Sequence, residues 1–287
     1  MYHVRAVVDK KYNIYELVDM ATNSRVKIAP ERGGIIFSYS VGGQELLYLN
    51  EETFYHQDQN VRGGIPILFP ISGQLNGGTY EWEGTNYTMG NHGFARNAIW
   101  EVIDSHTDNR AALTIRLTSN VQTKKAYPFD FEVVFTYSLE KGKLTIHQEY
   151  KNKGERPMPI SAGFHPYFKT SEKPLAYETD ATKYYDYNDG KNKEFTGSFD
   201  ITSITESVAL FDAKHTTISF QPSAPDRKIK LGYGEEFKYV VIWTESGKEF
   251  ICVEPWMAKN DEFNRKNELV MVNGNEQLTT DFSIKLE

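Results

Sequence analysis

The sequence predicts an all-β fold, a large sandwich built from long antiparallel sheets. Three observations predict it. Apolar residues recur with a period of two, turn residues separate the periodic runs, and no segment carries a convincing helical stripe. Alternation with one polar face belongs to antiparallel sheets. Strands follow strands without crossover helices, which argues against a parallel α/β sheet.

Taken along the chain, a strand is expected over 99–103. Leu113, Ile115 and Leu117 alternate with Thr114 and Arg116, while Phe131, Val133, Phe135 and Tyr137 place bulky groups on one face. Leu144, Ile146, Gln148 and Tyr150 repeat the pattern, as do Phe282, Ile284 and Leu286. Turn signals stand at Asp108-Asn109, Lys141-Gly142-Lys143 and Asn152-Lys153-Gly154. The stretch 179–197, rich in Lys, Asp, Asn, Gly and Tyr, reads as a surface excursion. Within it Asp186-Tyr187-Asn188-Asp189-Gly190 suggests a calcium loop, but the glycine falls one place too early and a plain turn is read. Segments 240–243 and 250–253 flank Ser246-Gly247-Lys248 and read as a hairpin. Segment 258–268 is polar and charged, with no apolar stripe.

The chain has 287 residues, 39% of them hydrophobic and 14% aromatic, enough for a sizeable core. β sandwiches reach about 250 residues as one unit. With no Pro/Ser-rich linker and no repeat, one domain spanning 1–287 is expected. Thirty-two basic against 39 acidic residues give a net charge of −7, so the broad basic field that nucleic acid requires is absent. No run approaches the roughly 18 apolar residues of a membrane span. No apolar segment follows a basic start, so a cytoplasmic location is expected. One cysteine, Cys252, excludes an internal disulfide framework and reads as a small buried hydrophobe.

No nucleophile elbow, glycine-rich dinucleotide loop, phosphate loop or HExxH motif occurs, and the seven histidines lack metal-ligand spacing. Acid/base chemistry without metal or cofactor is the simplest enzyme class left. Four segments look unlike ordinary strands or turns. In Val61-Arg62-Gly63-Gly64-Ile65-Pro66-Ile67-Leu68-Phe69-Pro70, two glycines permit close backbone approach and two prolines stiffen the chain. Arg62 there could hold a polar ligand, or snorkel beside a buried edge. In Asn91-His92-Gly93-Phe94-Ala95-Arg96, His92 on a tight turn could face a cleft or be a satisfied structural histidine. In Ser161-Ala162-Gly163-Phe164-His165-Pro166-Tyr167-Phe168, Pro166 fixes extended backbone at His165, and the flanking aromatics exclude water. In Phe250-Ile251-Cys252-Val253-Glu254-Pro255-Trp256, Glu254 ends an apolar run. A glutamate there needs a partner or a function. Pro255 is expected to stop that strand, leaving the carboxylate at a sheet edge or rim. Charged groups set among Trp and Phe suit a sugar, with its apolar C–H faces and its hydroxyls.

These four segments, in this order, resemble the aldose 1-epimerase (galactose mutarotase-like) family. The likeness is strongest to its bacterial branch related to the hexose-6-phosphate 1-epimerases. The resemblance covers essentially the whole chain and implies a large antiparallel β supersandwich. It implies interconversion of the α and β anomers of an aldose without metal or cofactor. By match to the family's motifs, Glu254 would be the general base at the C1 hydroxyl and His165 the general acid at the ring oxygen. His92 would hydrogen-bond near that same oxygen, and Arg62 would bind hydroxyls or a substituent at the far end. Base and acid are expected on opposite sides of the sugar, each charge favouring the other at neutral pH.

The family's sugar-gripping aspartate is missing: its place reads Ser207, with Glu206 and Asp212 nearby. Two alternatives remain open. One is a sugar phosphate clamped by Arg62 and Arg96, although Arg96 could equally serve a structural ion pair. The other is a sugar-binding protein without catalysis. A glycosidase would need two flanking carboxylates, and only Glu254 has a convincing context.

Overall fold

The structure is a computed structural model and describes residues 1–173, 175–199, 201, 205–223 and 227–287. The all-β expectation holds, and the strands pair antiparallel in three main sheets. A five-stranded meander covers Tyr2–Asp9, Tyr12–Asp19, Ser24–Ala29, Ile35–Val41 and Gln44–Glu45. An eight-stranded sheet runs in the order Tyr177–Glu178, Thr217–Phe220, Ile229–Tyr233, Gln277–Leu286, Lys143–Asn152, Phe131–Glu140, Ala111–Thr118, Glu101–His106. A second such sheet orders Lys191–Glu194, Lys183–Asp186, Val208–Phe211, Tyr239–Trp243, Phe250–Trp256, Gly163–Phe164 and Ile67–Leu68, with Tyr167–Lys169 also paired to Phe250–Trp256.

The period-two residues do what alternation requires. Phe131, Val133, Phe135 and Tyr137 are buried, as are Leu144, Ile146, Gln148 and Tyr150. Glu140 pairs with Lys143 across a two-residue turn, Lys141 and Gly142, whose φ values of 49 and 75 match the twist of the flanking strands. The strand expected at 99–103 instead covers Glu101–His106, and Ile99 is exposed. The excursion 179–197 contains a hairpin, Lys183–Asp186 with Lys191–Glu194, that forms the outer edge of the second eight-stranded sheet. Its turn is organised by Lys193, whose Nζ lies 2.6 Å from Asp186 and 2.9 Å from Asp189, so an ammonium sits where the calcium reading needed an ion. No helix among the described residues is long and apolar enough to cross a membrane.

The two large sheets pack face to face. Phe164 stacks on Phe282 at 5.0 Å and meets Phe135 at 5.8 Å. Burying each such ring contributes roughly 1.5–3 kcal/mol, so the core-facing side chains alone anchor the second sheet. Along Phe250–Trp256, Ile251 and Val253 enter this core, while Cys252, Glu254 and Trp256 project from the other face. Val240 and Ile242 likewise face the core, and Tyr239, Val241 and Trp243 face away. That second face is free to carry polar chemistry.

Two expectations about backbone are corrected. Phe250–Trp256 is an interior strand that continues through Pro255, not a strand ending at an edge. Backbone groups two apart point to the same neighbour, and the Met257 N–H bonds Ala162. Position 255 therefore aims at Phe164, the last residue before the ladder lapses at His165 and Pro166, so the missing donor of Pro255 falls at the end of a ladder. The close approach allowed by Gly63 is to the chain itself, since a Cβ there would overlap Tyr48 and Leu49.

Candidate active site

The ladder gap fixes the central pair of side chains. Gly163 pairs with Trp256 and Tyr167 with Cys252, with one register on both sides of the gap. His165 therefore falls opposite Glu254 on the same face. His165 Nδ1 lies 3.5 Å from Glu254 Oε1, and the carboxylate's other oxygen accepts a 3.0 Å hydrogen bond from Trp256 Nε1. Both residues line one cavity of about 250 Å³, together with Arg62, His92, Trp243 and Trp256. Glu254 is 1% exposed and His165 7%. His165 stacks on Tyr167 at 4.7 Å, and His92 stands edge-on to it at 5.4 Å.

His92 reaches the cavity from a left-handed turn, φ 63, followed by Gly93 at φ 70. A Cβ on Gly93 would overlap the Phe69 carbonyl, so this turn needs glycine. His92 Nδ1 makes a short contact with the Ser72 carbonyl oxygen. A carbonyl only accepts, so Nδ1 carries the proton and Nε2 presents a lone pair. In this tautomer a direct bond to the ring oxygen would need a second proton on the imidazole. A ring oxygen has no hydrogen to give, and this tautomer has none to offer it from Nε2; it can accept from a sugar hydroxyl instead.

Burial dominates the protonation of the three groups. It pushes Glu254 well above the usual carboxylate range, against the Trp256 hydrogen bond that favours the anion. Burial likewise pushes His165 well below the usual imidazole range, helped by His92, Arg96 and Arg62. His92 is lowered to about 3 by burial and then by Arg96. The 3.5 Å approach of His165 to Glu254 favours an ion pair, but desolvation acts on both partners and nearby cations add to it. The direction is toward a neutral carboxylic acid beside a neutral imidazole. This departs from the expected mutually stabilised ion pair, although both forms hold the same single proton. Nor do the two groups lie on opposite sides of the cavity: they face each other directly.

Arg62 is an exposed wall residue whose guanidinium lies over the Trp243 ring, 5.5 Å from its centroid. Arg96 does not line the cavity. Its Nη2 donates to the Asn91 carbonyl at 2.9 Å, and burial lowers its pKa to about 10. Neither arginine forms an ion pair with a carboxylate among the described residues. Ser207, at the place of the family's aspartate, lines the cavity, and so does the neighbouring carboxylate of Glu206. Asp212 is turned away and accepts from Thr182 N at 2.9 Å and Thr182 Oγ1 at 2.7 Å. Sequence reasoning missed Gln74, Trp243 and Asn260 as wall residues. Gln74 lies four residues beyond Pro70, the end of the proline-stiffened motif. Asn260 lies in the polar segment after Trp256, and its Oδ1 accepts from the Gln74 N–H at 3.1 Å.

Known proteins resemble this chain in sequence and fold. The sequence model described as aldose 1-epimerase matches residues 16–285. A curated Escherichia coli relative, named "Putative glucose-6-phosphate 1-epimerase", is 29% identical over 145 residues, 49% of this chain and 44% of that one. The chain thus spans under half the length of that relative. A solved protein from Synechocystis sp. PCC 6803 is 34% identical, with a TM-score of 0.93 over 100% of this chain and 99% of that chain. The galactose 1-epimerase of Lactobacillus acidophilus is 13% identical and shares the fold, with a TM-score of 0.76 over 100% and 98% of the two chains.

Proposed function

The chain belongs to the aldose 1-epimerase family, and from that premise we propose that it interconverts the α and β anomers of a hexose, with Glu254 as base and His165 as acid. The observation that carries this reading is the 3.5 Å approach of those two side chains inside one cavity. In the closed sugar, the exchanging oxygens are both bonded to C1, so an acid and a base in mutual contact reach both. Glu254 takes the proton of the C1 hydroxyl. The bond from C1 to the ring oxygen breaks, its electron pair goes to that oxygen, and His165 supplies the proton there. C1 becomes an aldehyde carbon. Rotation about C1–C2 and the reverse transfers give the other anomer.

The reacting form of the pair, reached when its proton shifts from Glu254 to His165, is carboxylate and imidazolium, and with the ring open the pair returns to carboxylic acid and imidazole. Burial favours this second arrangement, so the site stabilises the state that accompanies the open chain. His92 holds a hydroxyl through its Nε2 lone pair, and Glu206 grips another in place of the family's aspartate. The whole chain, 1–287, acts as one unit, because residues of all three sheets pack into one core. A cytoplasmic location belongs to the same reading, with Cys252 as a free buried thiol. Neither nucleic acid nor membrane is a partner in it.

The test is polarimetry on freshly dissolved α-glucose. Glu254→Gln should lower turnover by at least about 10³-fold, roughly 4 kcal/mol, while sugar binding persists. Near-normal mutarotation in that variant would sink the assignment. Binding without any acceleration in the native protein would favour a sugar-binding protein without catalysis.

A phosphorylated sugar is the second reading, favoured by Arg62 lacking a carboxylate partner at the cavity wall. A preference for glucose 6-phosphate over glucose above about 100-fold in kcat/KM, roughly 2.7 kcal/mol, would establish it. Arg96 would have to leave the Asn91 carbonyl to join a clamp.

A further inference from the structure

Three side chains of different chemistry meet beside the cavity: His165 and Glu254 line it, and Cys252 is buried behind them among Tyr167 and Phe250. Cys252 and Glu254 are two apart on one strand and so project from the same face, and His165 comes from the gap opposite Glu254. A sulfur, a carboxylate oxygen and a ring nitrogen of these residues all lie within 4.8 Å of one another. The three are 0%, 1% and 7% exposed. His165 Nδ1, aimed at Glu254 Oε1, has no hydrogen-bond partner among the described residues. A buried nitrogen in that position is unfilled, which native interiors seldom tolerate.

The spacing has a chemical meaning. Two ligands at about 2.0–2.1 Å from a tetrahedral zinc stand roughly 3.4 Å apart, close to the 3.5 Å between His165 and Glu254. Thiolate, imidazole and carboxylate together form a donor set suited to a borderline-soft cation. We propose that His165, Cys252 and Glu254 form a site for a thiophilic divalent cation such as Zn²⁺, open to the cavity at its fourth position, and that filling it switches the acid–base pair off. Binding displaces two protons to solvent, that of the Cys252 thiol and the one held by the Glu254–His165 pair, and engages the lone pairs that pair would otherwise use for protons. Glu254 contributes Oε1, so Trp256 can keep its bond to Oε2. The inhibitory half rests on the acid–base reading, whereas the binding half does not.

Calorimetric titration of the purified protein with ZnCl₂ and absorption spectra with CoCl₂ test this. One zinc per chain is expected, together with a near-ultraviolet thiolate-to-cobalt band. Cys252→Ala should weaken zinc binding at least about tenfold and leave metal-free mutarotation unchanged. Equal zinc affinity in Cys252→Ala, or a cobalt complex without the thiolate band, would overturn the site. If Cys252→Ala does not fold, the cobalt spectrum of the native protein decides alone. Zinc bound one-to-one with the thiolate band present but mutarotation unaffected would keep the site and overturn the inhibitory half.

Discussion

The turn that carries His92 and the strand gap that carries His165 deliver the same side chain to one cavity in two different states. His92 has its Nδ1 committed to the Ser72 carbonyl, a partner that cannot titrate. His165 has its Nδ1 facing the Glu254 carboxylate, a partner that can. Burial lowers the pKa of both imidazoles, so burial does not tell them apart. The partner does. A fixed carbonyl locks one tautomer, which suits a holding group, while a titratable carboxylate leaves a proton free to move, which suits a proton carrier.

Parallel substitutions sharpen the contrast, and they are expected to give the largest effects. Asparagine keeps an amide donor near the Nδ1 position and tolerates a left-handed turn. His165→Asn should lower kcat about 10³-fold with KM little changed, because it removes a group needed only as the ring opens. His92→Asn should raise KM about tenfold, roughly 1.4 kcal/mol, with kcat nearly kept, because one hydroxyl loses its acceptor. Steady-state kinetics on α-glucose separates the two. If His92→Asn lost kcat as severely as His165→Asn, the distinction drawn from their partners would collapse.

Much of this contrast could be read before any coordinates. The alternation at Phe131, Val133, Phe135 and Tyr137 is local and survives folding unchanged, and so does the hairpin around Gly247. The motifs also delivered Arg62, His92, His165 and Glu254 to one wall. What could not be read depends on neighbours distant in sequence. Pro255 forbids an interior strand only if its neighbour offers a continuous ladder, and His165 with Pro166 breaks that ladder. The proton position on His92 depends on Ser72, twenty residues away. The direction in which Arg96 points depends on the Asn91 carbonyl within its own turn, a choice that residue types alone leave open. Cys252 was legible as buried, but its place beside His165 and Glu254 came only with the strand register.

The smallest expected effect concerns stability, and it centres on His92. In the folded chain His92 takes a proton only near pH 3, against about 6.5 when unfolded. As pH falls through that window the unfolded chain binds a proton that the folded chain refuses, so the native state loses about 1.4 kcal/mol per pH unit on account of this residue. Above pH 6.5 neither state is protonated and the contribution vanishes. His92→Asn also relieves the part of the His165 lowering that His92 causes, and this acts in the same direction, so the difference between the two proteins reports His92 together with its effect on His165. Denaturant unfolding at pH 7, 6, 5 and 4 should show the native protein losing stability more steeply than the variant, by about one proton's worth. Parallel curves would mean that His92 accepts a proton in the folded state, and then its Nε2 would be a donor to the sugar and no longer the fixed acceptor that sets it apart from His165.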